Sequence, residues 1–250
     1  MGLLPDYSRQ AQHYDTTRSA SPSVLGPLCT VLLGAHGRRL ADVGGGTGNY
    51  ALALKGRGWE PVVLDRSPHM LARAVAKGIL AVQADAVHLP LGDARFGAVT
   101  MVSMLHHVGN QAAALAEARR ILRPGGHLAL VGFTGEDADS LWVLDYFPCS
   151  RPWMKATHPS RSALLAELPG AELVDFQFHD LEDGSLAALS ADPERVVAAG
   201  EHAATSFFER MQRDHPAELS AGLNRLRADT VAGNAPRRAG TGTVLSWTKP

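Results

Sequence analysis

The sequence of 250 residues predicts an α/β fold, built on one mostly parallel seven-stranded sheet with helices on both faces. From Arg38 to Phe133 short apolar runs alternate with helical patterns, which is typical of βαβ units. A glycine-rich turn directly follows the first of these runs. Two more apolar runs follow Phe133 outside the alternation, and we expect the last of them to be an antiparallel strand.

The alternating region is expected to supply five strands, at Arg38–Val43, Glu60–Asp65, Ile79–Ala84, Phe96–Val102 and Gly126–Phe133. Its helices are expected at Thr47–Lys55, Pro68–Ala76 and Gln111–Leu122. Ser67 is expected to cap the second helix, because its hydroxyl can accept a free N–H and Pro68 suits the first turn. Pro124-Gly125-Gly126 is expected to stop the third.

The pattern changes after Phe133. An aromatic-rich segment leads to a helix near Ser162–Leu168 and a strand near Ala171–His179, then to a mostly helical stretch over Asp183–Arg227 and a last strand at Thr243–Thr248. We therefore expect a single domain over 1–250, with an N-terminal helical cap (1–33), a ligand-binding core (38–133), an acceptor or lid region (134–240) and the last strand (241–250). Both helical additions would cover the carboxyl ends of the strands, where open α/β sheets bind ligands.

Composition narrows the range of partners. The chain is 45% hydrophobic and 20% charged, with a formal net charge of -1, so it predicts a sizeable core and no basic field for a nucleic acid. No apolar run approaches the roughly 20 residues that a membrane span needs. Two isolated cysteines and no apolar leader near the start favour free thiols and a cytoplasmic protein. We expect a monomer or a homodimer without a metal.

The glycine-rich turn Gly44–Gly48 is the first functional signal. Glycines let the backbone turn sharply and approach a ligand, while the next helix offers free N–H groups. Asp65 ends the second strand about 20 residues further on, where a carboxylate can accept from both hydroxyls of a ribose. A nicotinamide-binding turn would instead read G-x-G-x-x-G/A, and here Asn49 stands in place of the last small residue.

The turn, read as D-V-G-G-G-T-G-N, resembles motif I of class I (Rossmann-like) S-adenosylmethionine-dependent methyltransferases of the small-molecule type. Val62–Leu71 resembles the second motif of that family, Val82–Val108 the third and fourth, and Ile121–Phe133 the fifth. The resemblance is close over Arg38–Phe133 and loose in the flanks. It implies S-adenosylmethionine as the cofactor, S-adenosylhomocysteine as the product and a small-molecule acceptor.

The resemblance also implies a set of cofactor-binding residues. The turn would shape the methionine and ribose side, Asp65 would hold the ribose, and Asp42 would either brace the turn or contact the ligand. Tyr14 and Arg18 would reach the methionine carboxylate from an element that otherwise reads as a surface helix. Arg66 and Met70 would lie beside the adenosine, and Asp85 and Ala86 would face the adenine. The full set is Tyr14, Arg18, Asp42, Gly44, Gly46, Gly48, Asp65, Arg66, Met70, Asp85, Ala86 and Ser103.

Candidate catalytic residues follow the fourth strand. Histidine is the natural general base near neutral pH, and His106 and His107 would lie where the acceptor enters, with His107 the better candidate. A wall of the pocket is the alternative role for both. Adjacent histidines without a companion acid cluster do not suggest a metal site.

The segment Ser140–Met154 contains aromatic residues that would either floor an acceptor pocket or pack as the core of a lid. Asp145 or Tyr146 would supply a polar contact to the acceptor, and His13 is a further candidate on the acceptor side. The main prediction is methyl transfer to oxygen, nitrogen or carbon of a small molecule. An RNA or protein methyltransferase, and a non-methylating cyclase or binding scaffold with the same fold, remain alternatives.

Overall fold

The computed structural model describes residues 19–180 and 184–250 and contains the predicted seven-stranded sheet. The strand order is β3-β2-β1-β4-β5-β7-β6. Strand β7 is antiparallel to both of its neighbours, and the pairings among β1 to β5 are parallel. The strands are β1 (Arg39–Val43), β2 (Glu60–Asp65), β3 (Leu80–Gln83), β4 (Phe96–Val102), β5 (Leu122–Gly132), β6 (Glu172–Gln177) and β7 (Thr241–Thr248). The predicted fold class is confirmed.

Most helices of the described residues fall in the predicted places with small shifts of their ends, but two of them, Asp137–Ser140 and Ser150–Thr157, lie in the aromatic-rich segment where no helix was predicted. They are α1 (Pro22–Leu32), α2 (Asn49–Lys55), α3 (Pro68–Ala76), α4 (Gln111–Ile121), α5 (Asp137–Ser140), α6 (Ser150–Thr157), α7 (Arg161–Glu167), α8 (Leu186–Leu189), α9 (Pro193–Glu201), α10 (Ser206–Asp214) and α11 (Pro216–Val231). The predicted cap of α3 is confirmed, since the Ser67 hydroxyl accepts from the Met70 N–H at 3.4 Å.

The predicted boundary between the third helix of the alternating region and β5 is wrong. Helix α4 ends at Ile121 because Leu122 is already extended and pairs with Phe96 of β4. Pro124-Gly125-Gly126 therefore lies within β5, where the register with β4 shifts before His127 pairs with Ala98. The Pro-Gly-Gly run absorbs this irregularity and does not stop the helix.

Two kinds of core hold these elements together. The faces of the sheet are covered by apolar side chains of the strands and of α1 to α4, with Phe96, Leu40 and Leu64 almost fully buried. A separate cluster packs the segments between β5 and β7, and it includes Trp142, Phe147, Phe208 and Met211. The aromatics of this region therefore pack as a core of their own, which we call the lid core.

The chain order reverses between β1 and β4, which are neighbours in the sheet although β2 and β3 lie between them in sequence. Ligands of open α/β sheets bind at the carboxyl ends of the strands beside such a reversal. His13, Tyr14 and Arg18 lie outside the described residues. Among the helices of the described ranges, none has the length and apolar character needed to cross a membrane.

Candidate functional site

The glycine-rich turn joins β1 to α2 at this edge of the sheet. Gly44, Gly46 and Gly48 all have positive φ, at 68°, 55° and 76°, which favours glycine strongly. A Cβ on Gly44 would lie 2.7 Å from the Cβ of Met104, so the turn packs directly against the residues that follow β4. A Cβ on Gly46 would meet no atom of the described residues within 4 Å, so no described residue closes the turn to a ligand at this point.

Asp65, at the end of β2, holds the turn from the neighbouring strand. Its Oδ2 accepts the Gly46 N–H at 3.0 Å and its Oδ1 accepts the Ser67 N–H at 2.9 Å. Burial raises the pKa of this carboxyl, against the lowering effect of the two backbone N–H groups and of Arg66. A carboxylate has about four lone-pair sites, so these backbone bonds leave capacity for a further donor. Asp65 can therefore brace the turn and still accept a hydrogen bond from a ligand hydroxyl.

Asp42 lies in β1 and is 1% exposed. Its Oδ1 accepts the Thr100 hydroxyl at 2.7 Å, because the register of β1 and β4 places the two residues side by side. Its Oδ2 has no hydrogen-bond partner among the described residues and lies against the backbone of Gly45. Burial raises the pKa of Asp42 to about 7, and the charge of Asp65 acts in the same direction.

The other predicted cofactor residues lie at the carboxyl ends of β2, β3 and β4. Met70 is buried at the start of α3, whereas Arg66 is exposed. Asp85 is exposed and its Oδ1 accepts the Val87 N–H at 3.1 Å, while Ala86 is half-buried in the same turn. Ser103 has a positive φ of 48° directly after β4. Their part in binding an adenosine stays a prediction.

His106 and His107 lie in a short 3₁₀ turn, Leu105–His107, at the carboxyl end of β4. Their ring centroids are 3.8 Å apart, and both residues are half-buried. A small pocket, with room for about one water molecule, lies between the ends of β4 and β5. Its lining is mostly apolar and comprises Met101, Ser103, Met104, Leu105, His106, Leu130, Val131, Gly132, Phe133 and Pro159.

A third histidine, His158, completes this group, and the sequence analysis missed it. Its ring is stacked on that of His106, with centroids 4.5 Å apart and an interplanar angle of 15°. Phe133 meets it edge-on at 6.2 Å. The available signal was weak, because His158 lies 51 positions after His107 in an irregular stretch between two helices and is followed by Pro159.

Asp145 and Tyr146, the predicted polar contacts to the acceptor, have partners within the lid region. The Asp145 carboxylate is 69% exposed and accepts from Arg151 at 2.5 Å. The Tyr146 hydroxyl donates to Asp229 at 2.7 Å, and burial together with this bond raises the pKa of Tyr146 to about 12. Tyr146 therefore keeps its proton at neutral pH. Its role toward an acceptor, like that of Asp145, stays a prediction.

The sequence of the chain is similar to that of known methyltransferases over the region that contains the glycine-rich turn. Residues 41–130 match the family model described as a methyltransferase domain. A demethylmenaquinone methyltransferase of Mycobacterium tuberculosis is 40% identical over 98 residues, which cover 39% of this chain and 42% of that protein. The chain thus matches less than half the length of this curated relative.

Two solved structures share the fold over nearly the whole chain. A protein of Anabaena variabilis described as a methyltransferase from an antibiotic biosynthesis pathway has a TM-score of 0.80 and 24% identity, covering 93% of this chain and 99% of that one. The [4+2]-cyclase SpnF has a TM-score of 0.61 and 17% identity, covering 100% and 98%. At these identities the likeness concerns the fold alone. Taken with the family match, it shows that residues 41–130 form a methyltransferase domain, within a fold that solved S-adenosylmethionine-dependent methyltransferases share.

Proposed function

We propose that the chain transfers a methyl group from S-adenosylmethionine to oxygen, nitrogen or carbon of a small molecule. One observation carries the proposal: the Asp65-held turn and the imidazole-lined end of β4 meet at the same edge of the sheet. The Gly46–Asp65 hydrogen bond ties β2 to the turn, and the close approach of Gly44 to Met104 ties the turn to the histidines. This arrangement would bring a cofactor and a candidate base side by side.

The residues present fit S-adenosylmethionine. The space at Gly46, which no described residue fills, leaves room for a ligand against the backbone, and the Asp65 carboxylate would accept from a ribose hydroxyl with its remaining lone-pair capacity. The buried Oδ2 of Asp42, which lacks a partner among the described residues, is an acceptor suited to the ammonium group of the methionine part. Arg66, Met70, Asp85, Ala86 and Ser103 would line the adenosine side.

When bound, S-adenosylmethionine supplies a methyl group that is already activated on a sulfonium. The chain has to orient the acceptor in line with that methyl group, and such orientation can contribute about 7–11 kcal/mol. His107 would take the proton that an acceptor hydroxyl or carbon acid loses. A general base of this kind raises the reaction rate by about 10²–10⁴-fold. His106, which lines the pocket, would hold one side of the acceptor.

A small organic acceptor is supported by the name of the Mycobacterium relative and by the charge of the chain. A formal net charge of -1 provides no overall basic field for RNA. Most of the side chains around the small pocket at the ends of β4 and β5 are apolar, which favours contact with an apolar part of an acceptor. The isolated cysteines are the basis for proposing a cytoplasmic location, and we propose a monomer or homodimer.

The test is incubation of the purified chain with S-adenosylmethionine and a panel of phenols, quinols, amines and carbon acids. The proposal requires S-adenosylhomocysteine and an acceptor that gains the mass of one methyl group in place of a hydrogen. If calorimetry shows cofactor binding but an acceptor is rearranged without a gain in mass, the protein is a cyclase that uses the fold differently. If S-adenosylmethionine does not bind, the proposal is wrong.

The role of His107 is tested on the acceptor so identified. For an acceptor that loses a proton, His107→Ala should lower kcat by about 10²-fold and leave cofactor affinity unchanged, because it removes only the base. The rising limb of the pH–rate profile should disappear with it. His202→Ala is the matched control, since His202 is exposed at the end of α9. If His107→Ala keeps full kcat and the rising limb of its pH–rate profile is unchanged, His107 is part of the wall of the site and not the base.

A further inference from the structure

The third histidine occupies a position that several elements hold in place. His158 follows the last turn of α6, and its backbone N–H donates to the Met154 carbonyl at 3.0 Å. The next residue, Pro159, lines the pocket, and its carbonyl accepts the Gly135 N–H at 3.0 Å. The His158 ring is therefore brought to the end of β4 from the lid side and not from the sheet.

The protonation of the His158 ring follows from one contact. Its Nδ1 lies 2.9 Å from the Met154 carbonyl oxygen, which can only accept, so Nδ1 carries a hydrogen. Burial lowers the pKa of His158, while this contact and the charge of Asp137 raise it by less. Asp137 is itself paired with Arg161 at 3.1 Å. At neutral pH the ring is thus neutral, with Nδ1–H directed into the helix and a lone pair on Nε2.

A clamp holds the two stacked rings at their backbones. The side-chain amide of Gln111, at the start of α4, donates to the Leu105 carbonyl at 3.2 Å and to the Thr157 carbonyl at 2.9 Å. These carbonyls belong to the residues immediately before His106 and His158. One amide therefore fixes the spacing of the turn after β4 relative to the end of α6, and this spacing sets the 4.5 Å stack.

We propose that His158 is a positioning residue, which acts through His106 to hold one face of the acceptor site. The neutral, hydrogen-bonded ring of His158 presents a flat surface that fixes the plane of the His106 ring, and His106 lines the pocket. The inference rests on the proposed function, because it assigns His158 to the site in which the acceptor would be held.

Kinetics with three variants test the role of the ring. His158→Ala removes the stack and should lower kcat/KM for the acceptor by about 10- to 100-fold, the effect of a misplaced contact in a reacting complex. Cofactor affinity should not change. His158→Phe restores a flat ring and should recover most of the loss. Gln111→Met removes the clamp, keeps His158, and should lower kcat/KM in the same direction.

The chain offers a matched control in His127. Its Nδ1 also contacts a backbone carbonyl, that of Val31, at 2.9 Å, and it lies in β5 away from the pocket. His127→Ala removes the same kind of bond and should affect the thermal unfolding midpoint without affecting kcat/KM. If His158 contributes only to stability, His158→Ala and His127→Ala should both lower the thermal unfolding midpoint and leave kcat/KM unchanged.

Nitrogen-15 NMR of the histidine rings gives a readout that does not depend on turnover. The His158 ring should show the Nδ1–H form at neutral pH, and the ring signals of His106 should shift in His158→Ala but not in His127→Ala. Wild-type kcat/KM in His158→Ala, failure of Phe to recover it, or an Nε2–H ring at position 158 would each overturn the inference. If the His158 variants transfer methyl groups as the wild type does, the proposed function still stands. If the NMR signals behave as expected but the wild type methylates no acceptor, the proposed function is wrong and the stacking of His158 on His106 is not.

Discussion

Replacing Asp42 by Asn should change how the stability of the protein depends on pH. In the folded chain Asp42 is 1% exposed, accepts one hydrogen bond, from Thr100, and its other oxygen is unpaired among the described residues. This environment raises its pKa from 3.8 to about 7. Because the folded state then holds a proton that the unfolded state has released, stability is lost as the pH rises from about 4 to about 7.

The size of the effect follows from the shift. Each pKa unit corresponds to about 1.4 kcal/mol, so a rise from 3.8 to about 7 corresponds to about 4 kcal/mol as an upper bound. The amide that Asp42→Asn introduces does not titrate. The difference in free energy of unfolding between variant and wild type should therefore grow in favour of the variant by up to this amount between pH 4 and pH 8. Any constant cost of burying the amide cancels in that comparison.

Urea denaturation without cofactor, repeated at several pH values across this window, measures the difference. Asp93→Asn is the matched control, because the Asp93 side chain is 77% exposed and its ion pair with Arg120 is on the surface. Its difference from wild type should change little with pH. If the Asp42→Asn variant runs parallel to wild type across the whole window, Asp42 is ionised at ordinary cost and the reasoning from burial is refuted.

Two further predictions concern other carboxylates of the chain. Asp65→Ala should weaken S-adenosylmethionine binding by about 10- to 100-fold, since hydrogen bonds to a charged group contribute about 1.5–3 kcal/mol, and unchanged affinity in calorimetry would remove Asp65 from the site. Asp137→Ala should lower the free energy of unfolding by about 3 kcal/mol, because Asp137 is 3% exposed, accepts from Thr134 and Thr243, and balances the charge of Arg161. The expected loss for Asp137→Ala is at the low end for a buried ion pair because the Arg161 side chain is 32% exposed. If urea denaturation shows no loss of unfolding free energy, the Asp137 network does not stabilise the fold as a buried pair.

The sequence alone determined the order of the elements and the place of the glycine-rich turn. Strand and helix periods are local properties, and a run such as Glu60–Asp65 carries its own boundaries, so β2, β4 and α3 agree with the prediction residue for residue. The positive φ of Gly44, Gly46 and Gly48 is likewise a local demand that glycine meets. The sequence erred at Pro124–Gly126, where pairing of Leu122 with Phe96 extends the strand through residues that ordinarily stop a helix.

The tertiary structure decided which side chains meet. Thr100 became the partner of Asp42 only through the register of two strands that are far apart in sequence. His158 joined His106 only because the lid segment returns to the sheet and Gln111 fixes the distance. Such contacts depend on strand register and on the packing of whole helices and strands against each other. Many residues far from the contact itself determine both. No local pattern contains that information, so the raised pKa of Asp42 and the stacking of His158 on His106 emerged only from the folded chain.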